Sequence, residues 1–343
     1  VISPFSIEFY LASDFCFLTS VFCPLSSEPP TKFSQVFTPP ADILFIQVCF
    51  DLMPPRRGDP VNNRKLNTIT LEVEAFPGMP ATAAKLLPLL DNPDSTPSEV
   101  ENIVKYDPGL TANILKLTNS AYFGIPTKVS SIRQAVILLG WKRVMQVVTT
   151  ICMSGLMKKA VPGYDLRSGE LWRHSIAVSV AAEILVKALK IPDADEVFTA
   201  ALLHDVGKLI LGSFVKKDLA QIEAMVAKGI TFDVAESMVL GTNHAEVGGQ
   251  ILHKWSFPAE LVNAVQWHHD PESCEDSCIL SDIVHVANTV GLMTGFGKAD
   301  GGIDVEPFGP VVDRLGLKDS HLEAMAQQTL QELEKLSDLW DMP

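Results

Sequence analysis

The chain has 343 residues, 47% hydrophobic and 20% charged, with a formal net charge of −14. That composition excludes an intrinsically disordered chain and allows one or two domains with a substantial core. Residues 1–70 hold five basic and six acidic side chains, leaving 22 against 35 elsewhere, a net −13; a main body this acidic argues against broad nucleic-acid binding by phosphate neutralisation, though not against a local basic pocket.

Residues 1–70 mix aromatic runs with Pro29-Pro30, Pro39-Pro40 and Pro54-Pro55 and show no helical period, and Arg56 to Lys65 reads as a polar linker. This segment is expected to be a poorly ordered extension, or the product of a translation start placed too early, since Met53 begins a more ordinary sequence. From Leu71 the pattern turns helical. Ala81 to Leu90 is a short apolar helix. Thr96-Pro97-Ser98-Glu99 then supplies a cap, a proline in the first turn and a glutamate able to reach back, which opens a helix running to Tyr106. Asp107-Pro108 breaks it, and Leu110 to Ser120 follows. Asn119 is either a cap or a functional residue. Ser131 caps Ile132 to Leu139, Gly140 stops it, and Trp141 to Met157 continues as another helix.

The second half continues in helices: Gly169 to Leu189, Ala194 to Asp205 stopped near Gly207, Leu219 to Lys228, Phe232 to Leu240 and His244 to Trp255. Pro258 to His268, Asp276 to Gly291 and His321 to Leu339 complete the series. No run alternates as a strand, so the expected fold is a compact all-α multi-helix bundle. The expected divisions are an extension over 1–70 and a main domain over 71–292, split into 71–160 and 161–292. A linker and helix over 293–343 either pack on that domain or mediate self-association, as in a homodimer.

The cysteines, Cys16, Cys23, Cys49, Cys152, Cys274 and Cys278, are too sparse for a disulfide scaffold. Cys152 reads as a small buried hydrophobe. Cys274 and Cys278 lack a second pair of matching spacing, so a surface loop is favoured over a metal knuckle. A reducing cytoplasm fits this usage. No 18-residue uncharged apolar run appears, so no membrane-spanning helix is expected, and Phe15 to Leu25, interrupted by Pro24, makes a poor signal peptide.

Six of the eight histidines fall between Glu170 and His269. Glu170 and His174 stand four apart on one helix face. His204-Asp205 ends an apolar helix, His244 opens another, and His268-His269 closes the next. Imidazole and carboxylate suit zinc, iron or manganese, and a helical bundle gathers such ligands from facing helices. His253 is expected to point away from this face, and His285 to be either structural or adjacent to it. Trp255 and Trp267 read as core anchors.

This ordered set resembles the HD superfamily of metal phosphohydrolases, and in particular its cyclic-dinucleotide phosphodiesterases with a glycine-tyrosine-proline loop. The resemblance implies metal ligation of one or two divalent ions by Glu170, His174, His204, Asp205, His244, His268, His269 and, weakly, Asn288. It implies a phosphate contact for Lys208, and catalytic roles for Asp205 and Lys208 if the chain is active. The family has aspartate where Asn288 stands, and its loop after the histidine pair is replaced by Asp270-Pro271-Glu272-Ser273. Phe76-Pro77-Gly78-Met79-Pro80, Asp107-Pro108-Gly109-Leu110-Thr111, Asn119-Ser120-Ala121-Tyr122-Phe123-Gly124 and Ser131 to Gly140 are similar to the HDOD domain, an HD-related signalling output module, over about residues 72–292. That resemblance implies a bacterial regulatory module acting through a protein partner or a nucleotide ligand. An active metal-dependent phosphohydrolase and a metal- or redox-sensing bundle are the alternatives.

Overall fold

The computed structural model describes residues 60–90, 95–104, 106–191, 196–274, 279–296 and 309–336. The expected extension up to residue 59, with Met53, Cys16, Cys23 and Cys49, lies outside them, as does Cys278. Among the described residues the only β feature is an isolated antiparallel bridge between Val161 and Leu166; everything else is helix, turn or loop.

The first helix corrects the sequence reading. Arg56 to Lys65 reads as linker, but α1 spans Pro60–Ala75, so the boundary at residue 70 falls inside a helix. Its apolar stripe is thin: Ile69 and Val73, four residues apart, are buried, while most of the remaining described positions are polar and face solvent or its edge. So narrow a stripe leaves little period to read. The helix is tied down by Lys65, whose ammonium donates to Asp218 at 2.9 Å.

The helices α2 (Ala81–Leu90), α3 (Pro97–Val104), α4 (Pro108–Thr118), α5 (Ile132–Leu139) and α6 (Trp141–Met157) form the first half. Their ends are set by local chemistry. Glu99 accepts from the Thr96 amide at 2.7 Å. Asp107 accepts from the Leu110 amide at 2.9 Å, with Pro108 in the first turn. Ser131 accepts from the Gln134 amide at 3.1 Å. Asn119 plays a structural part. Its amide donates to the Leu115 and Val129 carbonyls at 2.7 and 2.9 Å, and its oxygen accepts from the Val129 amide at 2.8 Å. One side chain thus closes the loop between α4 and α5.

The second half is built around α7 (Glu170–Leu189), whose Leu171, Trp172, Ile176, Val180 and Leu185 are all buried. A helix apolar over most of its circumference belongs at a centre. Around it stand α8 (Val197–Leu203), α9 (Lys208–Val226), α10 (Phe232–Leu240), α11 (His244–Lys254), α12 (Ala259–Gln266) and α13 (Ile279–Met293). Helix α8 is shorter than the expected Ala194 to Asp205, so His204 and Asp205 lie in the turn after it. The segment Val197–Val226 is apolar enough to pass for a membrane span by composition, but 78% of its apolar window is buried, as in a core helix. The last helices, α14 (Gly309–Arg314) and α15 (Asp319–Lys335), pack on α13 and on α7 with α13, respectively. Arg314 grips Asp282 of α13 with two hydrogen bonds of 2.8 Å, and Leu322, Met325 and Leu333 are buried. The halves meet where α6 packs on α7 and α8. There the buried Glu183 accepts from the Tyr122 hydroxyl at 2.6 Å and from Arg143.

Candidate functional site

The histidines converge because helix ends converge. Helix α8 is a short apolar rod that delivers His204 and Asp205 into the interior, where they are 0% and 1% exposed. The following turn contains Gly207. A Cβ there would stand 2.0 Å from the His244 carbonyl oxygen and 2.7 Å from the Gly248 nitrogen, so only glycine lets the start of α9 touch the start of α11. That close approach puts His244 Nε2 3.4 Å from Asp205 Oδ1. Helix α7 adds His174, whose Nε2 is 3.6 Å from Asp205 Oδ2, while His204 Nε2 is 3.4 Å from the same oxygen. The end of α12 adds His268 and His269.

Two groups result. His174, His204 and Asp205 offer ligand atoms within 4.8 Å of one another, and so do His244, His268 and His269. Asp205 stands between them, one oxygen toward each. His204 and His268 are 5.0 Å apart by ring centroids, and His244 Nε2 is 2.9 Å from His269 Nε2.

The outer nitrogens fix the tautomers. His174 Nδ1 lies 3.0 Å from the Phe296 carbonyl, His204 Nδ1 2.7 Å from Ala201 O, and His268 Nδ1 2.7 Å from Val265 O. A carbonyl only accepts, so each Nδ1 carries a hydrogen, which leaves each Nε2 facing inward as the atom that could offer a lone pair to a metal. His244 differs, because its Nδ1 and its backbone amide both meet Glu236 Oε2, at 2.7 and 2.9 Å. Glu236 Oε1 accepts from the Tyr164 hydroxyl.

Burial drives His174 down to about 4, helped by His204 and Lys208 and opposed by Asp205. It drives His268 and His269 well below the usual imidazole range, with the neighbouring histidines adding to the effect. Burial pushes on Asp205 and His244 too, but the surroundings win. His204 and Lys208 hold the Asp205 carboxyl well below its usual value, and Glu236 raises His244. His174, His268 and His269 are thereby favoured in their neutral form beside an ionised carboxylate, the states a divalent metal requires, whereas His244 would give up a proton on binding one.

The donor set fits a metal on a second ground. His204 Nε2, both Asp205 oxygens, His268 Nε2 and Asn288 Oδ1 are buried atoms without a hydrogen-bond partner. Lys208 Nζ is 3.0 Å from Asp205 Oδ2, an ion-pair contact without hydrogen-bond alignment. Buried polar atoms are rarely left so, and a cation between them would satisfy them together.

The remaining expected residues fall elsewhere. Glu170 accepts from the Arg167 amide at 2.7 Å, in the turn ahead of its helix, and joins neither group. Lys208 is 6% exposed and sits between Asp205 and the Tyr164 ring, 5.2 Å from the ring centroid. His285 Nδ1 lies 2.7 Å from the His268 carbonyl and so steadies the backbone of a clustered histidine. His253 is exposed. Trp255 is buried and donates to the Pro77 carbonyl at 3.1 Å. The sequence reading missed Glu236, Tyr164 and the Phe296 carbonyl. Glu236 did leave a signal: Phe232, Ala235, Glu236, Val239 and Leu240 are the buried stripe of α10, and a carboxylate on such a stripe needs a partner.

A family model for the HDOD domain matches residues 76–271. The chain is 24% identical over 233 residues to an uncharacterized protein of Treponema pallidum, covering 66% of this chain and 44% of that one, so it spans less than half of that curated relative. Among solved structures, a presumptive phosphohydrolase of Shewanella amazonensis superimposes with a TM-score of 0.62 at 25% identity, over 80% of this chain and 97% of that one. An HDOD domain protein of unknown function from Geobacter sulfurreducens gives 0.61 at 25% identity, over 81% and 94%. The motif order, the helical architecture and a match across more than half of the sequence agree: this chain belongs to the HDOD family.

Proposed function

We propose that the chain is a regulatory HDOD module that binds one or two divalent metal ions, iron, manganese or zinc, and signals without hydrolysing phosphate esters. The observation that carries metal binding is the pair of three-residue groups with Asp205 between them and its oxygens lacking hydrogen-bond partners. Three observations argue against turnover. Asn288 offers an amide oxygen where the related hydrolases have a carboxylate able to bridge two ions. The segment after His269 forms a 3-10 turn, Pro271–Ser273, in place of their loop. Lys208 is buried against Asp205 instead of open to a phosphate. The output would be a changed contact with a signalling protein or a nucleotide, and a cytoplasmic setting fits the sparse cysteines.

A second reading, an active phosphohydrolase, is favoured by Asp205 facing both groups and by the name carried by the Shewanella relative. A metal held there would supply an activated water and offset phosphate charge. Asp205 would hold its position, and Lys208 would have to leave it to meet the substrate.

Elemental mass spectrometry on protein purified without chelator or metal-affinity tag tests the first reading. One or two metals per chain, lost in His204→Ala, is the expected result, together with no turnover of phosphomonoesters, phosphodiesters or nucleotides by the metal-replete protein. A folded protein without stoichiometric metal overturns metal binding. Turnover that disappears in Asp205→Asn replaces the regulatory reading with the hydrolytic one.

A further inference from the structure

A cavity of about 560 Å³ lies between the segment after α1, the end of α6 with the loop that follows it, and one face of α9. Its walls are apolar, with Phe76, Leu156, Val161 and Leu209. Its rim is not. Lys159, Lys216 and Lys217 line it, all three exposed, with no carboxylate among its lining residues. Among the described residues neither Lys159 nor Lys216 pairs with an acid, and Lys217 stands over the Phe214 ring, 5.5 Å from its centroid. Asp218, next along α9, is taken by Lys65. In a chain with 41 acidic and 27 basic residues, three lysines without acids around one cavity form a local field opposite in sign to the rest.

The cavity is also fixed in shape. At its floor the Pro162–Tyr164 turn crosses α9 backbone to backbone: a Cβ on Gly163 would lie 2.2 Å from the Gly212 oxygen, and one on Gly212 would lie 2.5 Å from Val161 Cγ1. The Phe76 and Pro77 carbonyls are held by the Lys254 ammonium at 2.7 Å and the Trp255 indole at 3.1 Å. A preformed apolar recess of this volume, in the range of roughly 300–1,000 Å³ typical of ligand sites, loses little entropy when it is filled.

We propose that this cavity is a binding site for a small amphiphilic anion: a flat apolar or aromatic body carrying a phosphate, sulfonate or carboxylate group. The body lies against Phe76, Leu156 and Leu209, and the charged group meets Lys159 and Lys216. The recess has the volume of a small molecule and a lysine rim suited to a single anionic group, which fits such a ligand better than a helix of a second copy. The site is independent of the metal reading, since none of its lining residues belongs to either histidine group.

The test is a fluorescence titration of the full chain with 8-anilinonaphthalene-1-sulfonate, an aromatic sulfonate of this class. The expected result is saturable binding of one dye per chain. Removing two rim charges in Lys159→Gln/Lys216→Gln should weaken it about tenfold at low salt, the scale expected of two partly solvated ion pairs. Salt should weaken binding to the unaltered chain and much less to that double variant. Ser213→Trp, an exposed rim position where a bulky ring fills the mouth without touching the core, should abolish binding while circular dichroism stays unchanged. Absence of saturable binding overturns the proposal. So does equal affinity in Ser213→Trp, which places the dye elsewhere, or equal affinity in the lysine variant, which removes the anion preference. A dimer that Ser213→Trp converts to monomer also overturns it, because a second copy then covers the recess.

Discussion

At the scale of single residues, the histidine cluster depends on the groups that orient its rings as much as on the rings themselves. Glu236 accepts from His244 twice and from Tyr164 once, in a fully buried position. Its charge makes the His244 ring a stronger donor and holds its orientation. Glu236→Gln keeps the shape and one acceptor but removes the charge, so metal affinity should fall about 10- to 100-fold, the usual effect of losing a partner of a ligating histidine. Competition against a chelator, read by elemental analysis, checks this, and unchanged affinity sinks it. Gly207 acts by having no side chain. Gly207→Ala places a methyl group 2.0 Å from the His244 carbonyl, on backbone that cannot rotate away. Helices α9 and α11 must part, at a destabilisation of about 1–3 kcal/mol, and the contact between His244 and Asp205 lengthens with them. Thermal unfolding and metal content should both respond; a variant as stable and as metal-loaded as the parent would contradict this account.

At the scale of helices, legibility in the sequence followed the range of the interaction. The starts at Thr96, Asp107 and Ser131 were readable because cap, proline and acceptor lie within four residues of each other. The clustering of the histidines was readable for a related reason: His204, His244 and His268-His269 each stand at a helix end, where polar residues interrupt an apolar run. Helix α1 was not readable, because only the tertiary burial of Ile69 and Val73 distinguishes it from linker. Glu170 was misleading, since its spacing from His174 suits ligation while the carboxylate turns back to the Arg167 amide. Asn119 stood open between cap and function, and its partner Val129 is ten residues away. The pairing makes a prediction that separates the two. Asn119→Ala should destabilise the chain by about 2–3 kcal/mol, from three lost hydrogen bonds of which one leaves the Val129 amide buried and unpaired. Asn119→Asp keeps the acceptor for that amide but sets a carboxylate against two carbonyls, so it should not restore stability. Denaturant unfolding of both variants checks this; full stability in the aspartate variant would mean that the amide donor has no structural part.

At the scale of the whole molecule, the cluster is a stability problem that a cation would resolve. Helices α7, α8, α11 and α12 bring their apolar faces together around Asp205, and with them a set of buried nitrogens and oxygens that have no hydrogen-bond partner. Apolar packing holds these helices whether or not a metal is present, since Trp172, Leu202, Leu203, Val247 and Ile251 are all buried nearby in the sequence. Metal removal should therefore leave the helix content intact and lower the melting temperature. A metal at a hundred times its dissociation constant contributes about 2.7 kcal/mol to the folded state by mass action alone. For a domain of this size, each 1 kcal/mol shifts the midpoint by roughly 2–4 °C, so chelation should lower it by about 5–10 °C. Returning zinc, manganese or ferrous iron singly should restore the midpoint, and the ion effective at the lowest concentration identifies the preferred metal. In Asp205→Asn the shift should shrink sharply, because that substitution removes the one carboxylate facing both groups. A midpoint indifferent to chelator and to every added ion would mean that Lys208 and the ring of histidines satisfy Asp205 unaided. The cluster would then be a polar core that holds four helices in register.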